Sequence, residues 1–185
     1  MFYKLALNTD CPQVKRDIEN VHEMHRTVCR MFDKGALWRL DRDTLYVRGK
    51  PLRYIPQGYA LSVASISDIW SEQMEFSLLV NPTVARRMEG KKRSSRIPAD
   101  DPLEWLVRKG EVSGFEVTDA SIVRQRTITG HKPGHRLVFN AVDFRGDLLV
   151  VDWYKFTVAV KNGIGSAKGY GFGLLLCRTK GGGCI

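Results

Sequence analysis

Residues 3–48 read YKLALNTDCPQVKRDIENVHEMHRTVCRMFDKGALWRLDRDTLYVR, and the succession of patterns inside this stretch decides the fold. Residues 3–8 form a short, mostly apolar run that predicts a strand. Asp10, followed three residues later by Gln13, has the spacing of a helix capping box. Pro12 falls in the first turn, where a missing N–H does little harm. Val14, Ile18, Val21, Val28 and Phe32 then recur at helical spacing, which predicts one helix over residues 11–32 with an apolar stripe, ending before Gly35. Residues 37–40 and 44–48 are two strand candidates split by the polar turn Asp41-Arg42-Asp43.

Outward from this stretch, residues 51–58 are irregular and 61–70 predict a short degenerate helix. Residues 74–80 alternate as a strand. Strand, helix, strand, strand, helix, strand is the order of a ferredoxin-like unit. Asn81-Pro82 punctuates the chain, and an irregular second copy follows. It begins with the basic stretch 86–96 and a helix over 102–108 that starts at Pro102. A strand over 115–118 comes next. The runs 122–128 and 137–144 flank a turn at 129–134, and 148–151 is another strand. Asp152 caps a helix from Trp153 to about Lys161, and the glycine-rich segment leads to a strand over 172–177. The expected class is α+β, with tandem ferredoxin-like (RRM-like) domains over 1–81 and 82–180 and a flexible tail over 181–185. Each unit is small, so the two are expected to pack on one another.

Bulk composition narrows the function. Of 185 residues, 43% are apolar, enough to build a core, so wholesale disorder is excluded. No apolar run approaches the roughly 20 residues of a membrane helix, and the N-terminus is too polar for a secretory signal, so a cytoplasmic chain with no membrane partner is expected. The net charge of +9 attracts polyanions, above all nucleic acid. Cys11, Cys29, Cys177 and Cys184 include no C-x-x-C pair, which argues against a zinc site.

Two segments carry chemistry. In residues 163–173, Gly163, Gly165, Gly169, Gly171 and Gly173 surround Lys168. Glycines permit close backbone approach with N–H groups turned outward, and the lysine adds a cation, so phosphate is the ligand that suits the loop. It is not a P-loop, because Lys168 precedes Gly169. A plain surface turn is the alternative. On the predicted helix, His22 and His25 are three apart and share a side, with Arg26 and Arg30 on the same helix. RNA is cut without metal when its 2′-hydroxyl is deprotonated and attacks the adjacent phosphate. Imidazoles suit the two proton transfers and guanidinium groups suit the developing charge. A core histidine in the apolar stripe is the bland alternative for His25. Lys91, Lys92 and Arg93, and Arg124, Arg126, Lys132 and Arg136 around the turn, are expected to hold RNA, with solvated surface charge as the alternative for each.

These residues also carry a resemblance. Residues 20–27 (NVHEMHRT), Val80-Asn81-Pro82-Thr83 and the glycine segment 162–175 occur in the order and positions seen in the CasE family. That family comprises the endoribonucleases that process CRISPR RNA in type I-E Cascade complexes. The similarity runs from the first strand to Cys177. It implies two ferredoxin-like domains and a metal- and cofactor-independent cut just 3′ of the repeat hairpin of precursor CRISPR RNA. The products would be a 2′,3′-cyclic phosphate and a 5′-hydroxyl, with the mature guide RNA retained inside a Cascade-type ribonucleoprotein. The family's catalytic histidine corresponds to His25, and a basic residue five positions later corresponds to Arg30. Where members carry a catalytic tyrosine this chain has His22, which leaves a non-catalytic RNA-holding subunit as the second reading. A general RNA-binding module is the third, but aromatic RNP motifs on inner strands are missing.

Overall fold

The computed structural model describes residues 2–52, 54–63, 71–87 and 95–180. Lys91, Lys92, Arg93 and the tail 181–185 lie outside them. The first part contains β1 (Phe2–Leu7), α1 (Pro12–Glu19), α2 (Val21–Met31), β2 (Leu37–Asp41), β3 (Thr44–Arg48) and β4 (Tyr59–Val63). The second contains β5 (Gln73–Val80), the small hairpin β6 (Thr83–Arg86) and β7 (Ser95–Pro98), α3 (Pro102–Val112), β8 (Phe115–Lys132), β9 (His135–Val150), α4 (Trp153–Asn162) and β10 (Leu175–Thr179).

Two four-stranded antiparallel sheets organise these elements, in the orders β2-β3-β1-β4 and β10-β5-β9-β8. In each, the first strand of the group sits between the third and fourth, an arrangement consistent with ferredoxin-like domains. β5, which the sequence reading groups with the N-terminal unit, pairs with β9 and β10 and so belongs to the second sheet. Residues 59–63, partly assigned to a degenerate helix, are the edge strand β4 on β1; the rest of that predicted helix, 64–70, lies outside the described residues.

The long helix expected over 11–32 is two helices. Asn20 is extended (φ −127°, ψ 104°), ending α1 and capping α2 through its side chain, which accepts from the His22 N–H. Asp10 does not cap α1; Cys11 occupies that position without a side-chain bond. The break also rotates the stripe. Ile18 is exposed, while Asp17 is buried and accepts hydrogen bonds from Thr27 Oγ1 (2.7 Å) and the Tyr59 hydroxyl (2.8 Å). Val14, Val21, Met24, Val28, Met31 and Phe32 form the helical side of the first core. The second core gathers β5, β8 and β9 residues with Trp105, Leu106, Phe156 and Val160 of α3 and α4.

The two sheets are joined by apolar and ionic contacts. Phe2 and Leu37 pack with Leu174 and Leu176. Arg39, only 3% exposed, reaches from β2 to donate to Asp143 (2.8 and 3.0 Å) on β9 and Ser77 (2.8 Å) on β5. A buried guanidinium persists only when paired and hydrogen-bonded, so this contact fixes how β2 meets the second sheet. β8 and β9 extend as one long hairpin turning at Pro133-Gly134, where Gly134 takes φ +76°; the separate short strands expected at 115–118 and 122–128 are both part of β8.

Candidate active site and nucleic-acid interface

The long hairpin is clipped to the start of α2. Asn20 Oδ1 accepts from the His131 N–H at 3.0 Å, and Asn20 Nδ2 donates to the His131 carbonyl at 3.0 Å. A Cβ at Gly130 would meet Val21 Cγ1 at 2.6 Å, so the strand passes close over the helix. One asparagine therefore breaks the helix, caps α2 and holds the hairpin beside it.

His22 and His25 follow on α2, half-buried, with ring centroids 6.3 Å apart. His25 does not lie in the apolar stripe, which runs through Val21, Met24, Val28 and Met31; it flanks that stripe and faces the glycine-rich loop. Tyr170 from the loop stands against both rings, 5.3 Å from His25 and 6.4 Å from His22, and against Phe139 of β9 at 5.1 Å. The His22 Nδ1 atom is buried without a hydrogen-bond partner. Buried nitrogens are nearly always satisfied, so an orphan among titratable groups makes His22 a candidate site residue. Burial pushes the His25 imidazole below the ordinary histidine value; a backbone acceptor at Gly169 works against this, and neighbouring His22 adds to it.

A cavity of about 330 Å³ opens at His25, lined also by Cys29, Trp38, Lys161, Lys168 and Gly169. Its roof is held by Trp38, whose Nε1 donates to the Gly169 carbonyl at 3.0 Å. Two lysines thus accompany the histidine, with Asp33 also in the lining. Arg26 is exposed and paired with Glu23 at 3.3 Å. Arg30 is exposed in the last turn of α2, about 140° around the axis from His25, and does not line the cavity.

The glycine-rich loop differs from the expected cradle of outward N–H groups. The N–H groups of Gly163, Gly171 and Gly173 bond to the carbonyls of Ala159, Lys168 and Leu79. The glycines instead permit close packing: a Cβ at Gly171 would stand 2.7 Å from the Trp38 ring, and one at Gly165 would stand 3.0 Å from Trp105. Lys168 and Gly169 form a short 3-10 turn with Tyr170 that delivers them to His25. Asn81, singled out as a sequence signature, anchors this region: Ser166 Oγ donates to its carbonyl at 3.0 Å, and its Oδ1 accepts from Asn140 N–H at 3.0 Å.

The basic residues of the hairpin divide between its faces. Strand alternation and the register place Arg124, Arg126 and Lys132 on the side of Ile128 and Phe139, which faces α2. Arg136 pairs with His131 on the other side. Burial, then the nearby Arg124, lowers the pKa of Arg126. Sequence reasoning does not identify Tyr170, Lys161 and Trp38, which the fold brings to the candidate site. An aromatic between two glycines, Gly169-Tyr170-Gly171, was the available signal for the first. Among the described residues no group of three or more His, Cys, Asp or Glu side chains is placed to hold a metal ion, and no helix is long and apolar enough to cross a membrane.

Residues 2–178 match the family described as CRISPR associated protein. The chain belongs to that family. This CRISPR-associated protein is 27% identical, over an alignment 213 positions long, to the CRISPR-associated endoribonuclease Cse3 of Thermus thermophilus, covering 93% of this chain and 96% of the relative. Among solved structures, it resembles Thermus thermophilus Cse3 bound to an RNA representing a pre-cleavage complex (25% identity, TM-score 0.80, 96% and 98% of the two chains). It also resembles the CRISPR endoribonuclease Cse3 bound to a 19-nucleotide RNA (25% identity, TM-score 0.79, 96% and 99%). The Cas6e protein of Escherichia coli shares the fold at 20% identity (TM-score 0.71, 97% and 100%).

Proposed function

We propose that this protein is a metal-independent endoribonuclease that grips the repeat stem-loop of precursor CRISPR RNA and cuts 3′ of the stem, within a chain built of tandem ferredoxin-like units. The observation that carries the reading is the meeting of His25 and Lys168 at one cavity, with the His22 ring 6.3 Å from His25, beside a basic hairpin fastened to the same helix.

In the proposed reaction the 2′-hydroxyl oxygen attacks the adjacent phosphorus. The P–O5′ bond breaks, leaving a 2′,3′-cyclic phosphate and a 5′-hydroxyl. One imidazole takes the 2′ proton while the other supplies one to the departing 5′-oxygen. His25, its pKa lowered by burial, is suited to be neutral and act as the base near pH 7. His22, in the place of the family's tyrosine, is assigned the acid. Lys168 and Lys161 line the cavity and meet the phosphorane charge. Arg30 adds positive field from the same helix without lining it. Arg124, Arg126, Lys132 and Arg136 are assigned to the stem, and the product stem-loop stays bound as part of a Cascade-type assembly.

The test is single-turnover cleavage of a hairpin repeat RNA in EDTA, with a second RNA carrying a 2′-deoxy sugar at the cut. His25→Ala should slow cleavage by roughly 10²- to 10⁴-fold while binding is kept. The 2′-deoxy RNA should bind and stay whole. Cleavage of that RNA, or a need for divalent metal, overturns the mechanism. A shifted band without products from the unaltered protein makes it a holder of RNA, the reading that His22 in place of tyrosine favours.

A further inference from the structure

Beyond the cavity at His25 lies a second concavity, of whose residues the cleavage chemistry uses only Lys168. It has a volume of about 410 Å³, formed by α3, α4 and the outer side of the glycine-rich loop. Arg96, Lys109, Lys155 and Lys168 line it, and no Asp or Glu does among the described residues. Lys155 is paired with Asp152 at 3.0 Å just outside the lining. Lys109, whose Nζ stands 5.8 Å from the Trp105 ring centroid, shares the lining with Lys168, and burial, then the charge of Lys109, lowers the pKa of Lys168. Tyr154 lies in the same lining with 80% of its surface exposed, which leaves a broad aromatic face bare beside the cations.

A cationic groove with a bare aromatic face is the makeup of a single-strand nucleic-acid site: cations track the phosphates and the ring stacks on a base. The position in the molecule selects which strand. Hairpin, Asn20, His22 and His25, then Gly169 and Lys168, succeed one another across the surface, and Lys168 lines both the cavity and the groove. With the stem at the hairpin and the scissile phosphate at His25, the chain that continues past the cut meets Lys168 next and the groove after it. We propose that this groove holds the single-stranded RNA immediately downstream of the scissile phosphate, with Lys109 and Arg96 on its phosphates and Tyr154 stacked on a base. The assignment rests on the cleavage reading for its direction.

The experiment compares three RNAs sharing one repeat hairpin: one ending at the cut site, one extended by eight nucleotides on the 3′ side, and one extended equally on the 5′ side, the cut-site sugar being 2′-deoxy throughout. Kd is measured in EDTA for the unaltered protein, Tyr154→Ala and Lys109→Gln, residues that take no part in the catalytic cavity. The 3′ extension should tighten binding about tenfold, the lower range for one stacked base and a phosphate contact. Either substitution should remove most of that gain and leave the Kd of the unextended hairpin unchanged. Equal binding of extended and unextended hairpins, a gain that survives both substitutions, or an equal loss on all three RNAs overturns the groove. A substitution-sensitive gain confined to the 5′ extension overturns its direction. Failure of the hairpin itself to bind refutes the cleavage reading instead.

Discussion

Gly171→Ala should damage both stability and cleavage, and the structure allows the two contributions to be separated. Gly171 has φ +87°, where a Cβ crowds the following carbonyl and costs about 1–2 kcal/mol. Part of this, about 0.4–1 kcal/mol, is offset because alanine has less freedom to lose from the unfolded chain. The same holds for Gly134 at the hairpin turn, with φ +76° and open space around it. Gly134→Ala is therefore the control, at about 0.5–1 kcal/mol. Gly171 has a further problem: its new Cβ would lie 2.7 Å from the ring of Trp38. Trp38 is 3% exposed and held by its bond to the Gly169 carbonyl, so the ring has no room to retreat. Overpacking of this kind adds about 1–3 kcal/mol, for a total of about 2–4 kcal/mol. That is within the reserve of a folded domain, so the variant should still fold. The strain should be released by moving the turn that carries Lys168, Gly169 and Tyr170, and a shift of about 1 Å in positioning groups can slow a reaction about 10²-fold. Urea titration with an unchanged m-value and single-turnover cleavage at saturating protein read the two effects. If Gly171→Ala and Gly134→Ala lose equal stability and cleave equally well, the glycine is not there for the tryptophan.

Arg39→Met leaves the buried side of Asp143 without its guanidinium and should cost about 3–5 kcal/mol, whereas Arg39→Met with Asp143→Leu should recover much of that; urea midpoints of the four-variant cycle decide it, and equal losses would refute a paired role. For pH, if neutral His25 accepts the 2′ proton, cleavage is retained as pH falls through the ordinary histidine range and is lost only below it, because burial lowers the folded-state pKa; a pH–rate profile with an acid limb above pH 6.5 contradicts this. Tyr170→Phe should cleave nearly as the unaltered protein does, since the ring packs on His25 and Phe139, while Tyr170→Ala should be slower by about tenfold or more; a large loss in the phenylalanine variant would assign work to the hydroxyl.

What the sequence made legible follows from which interactions are local. The strands β1, β2, β3 and β5 and the helices α3 and α4 carry their own periodicity, caps and prolines, and Asp101 and Asp152 cap α3 and α4 with side-chain bonds to nearby N–H groups. The split between α1 and α2 was not legible, because the spacing of Val14, Ile18 and Val21 is helical throughout and nothing adjacent interrupts it. What stabilises an extended Asn20 is a partner 111 residues away, the backbone of His131. The same long-range event decides which side of α1 is buried: once the helix breaks, Asp17 turns inward to Thr27 and Tyr59, and hydroxyl donors stand where the spacing of Ile18 predicts apolar neighbours. The partners of β5 are not legible for a related reason, since alternation fixes a strand's faces but not which edge it joins. The candidate site divides along the same line. His22 and His25 sit one turn apart, so their proximity is a local property that spacing reveals. Lys161, Lys168 and Tyr170 reach them only because α4 and the loop after it return across the first unit, with Trp38 setting the height of that return through one hydrogen bond and one glycine contact. Glycine permits close approach, which predicts a ligand-facing loop; at Gly163, Gly165 and Gly171 the close neighbours are instead Leu37, Trp105 and Trp38. Composition announces close approach, and only the fold says to what.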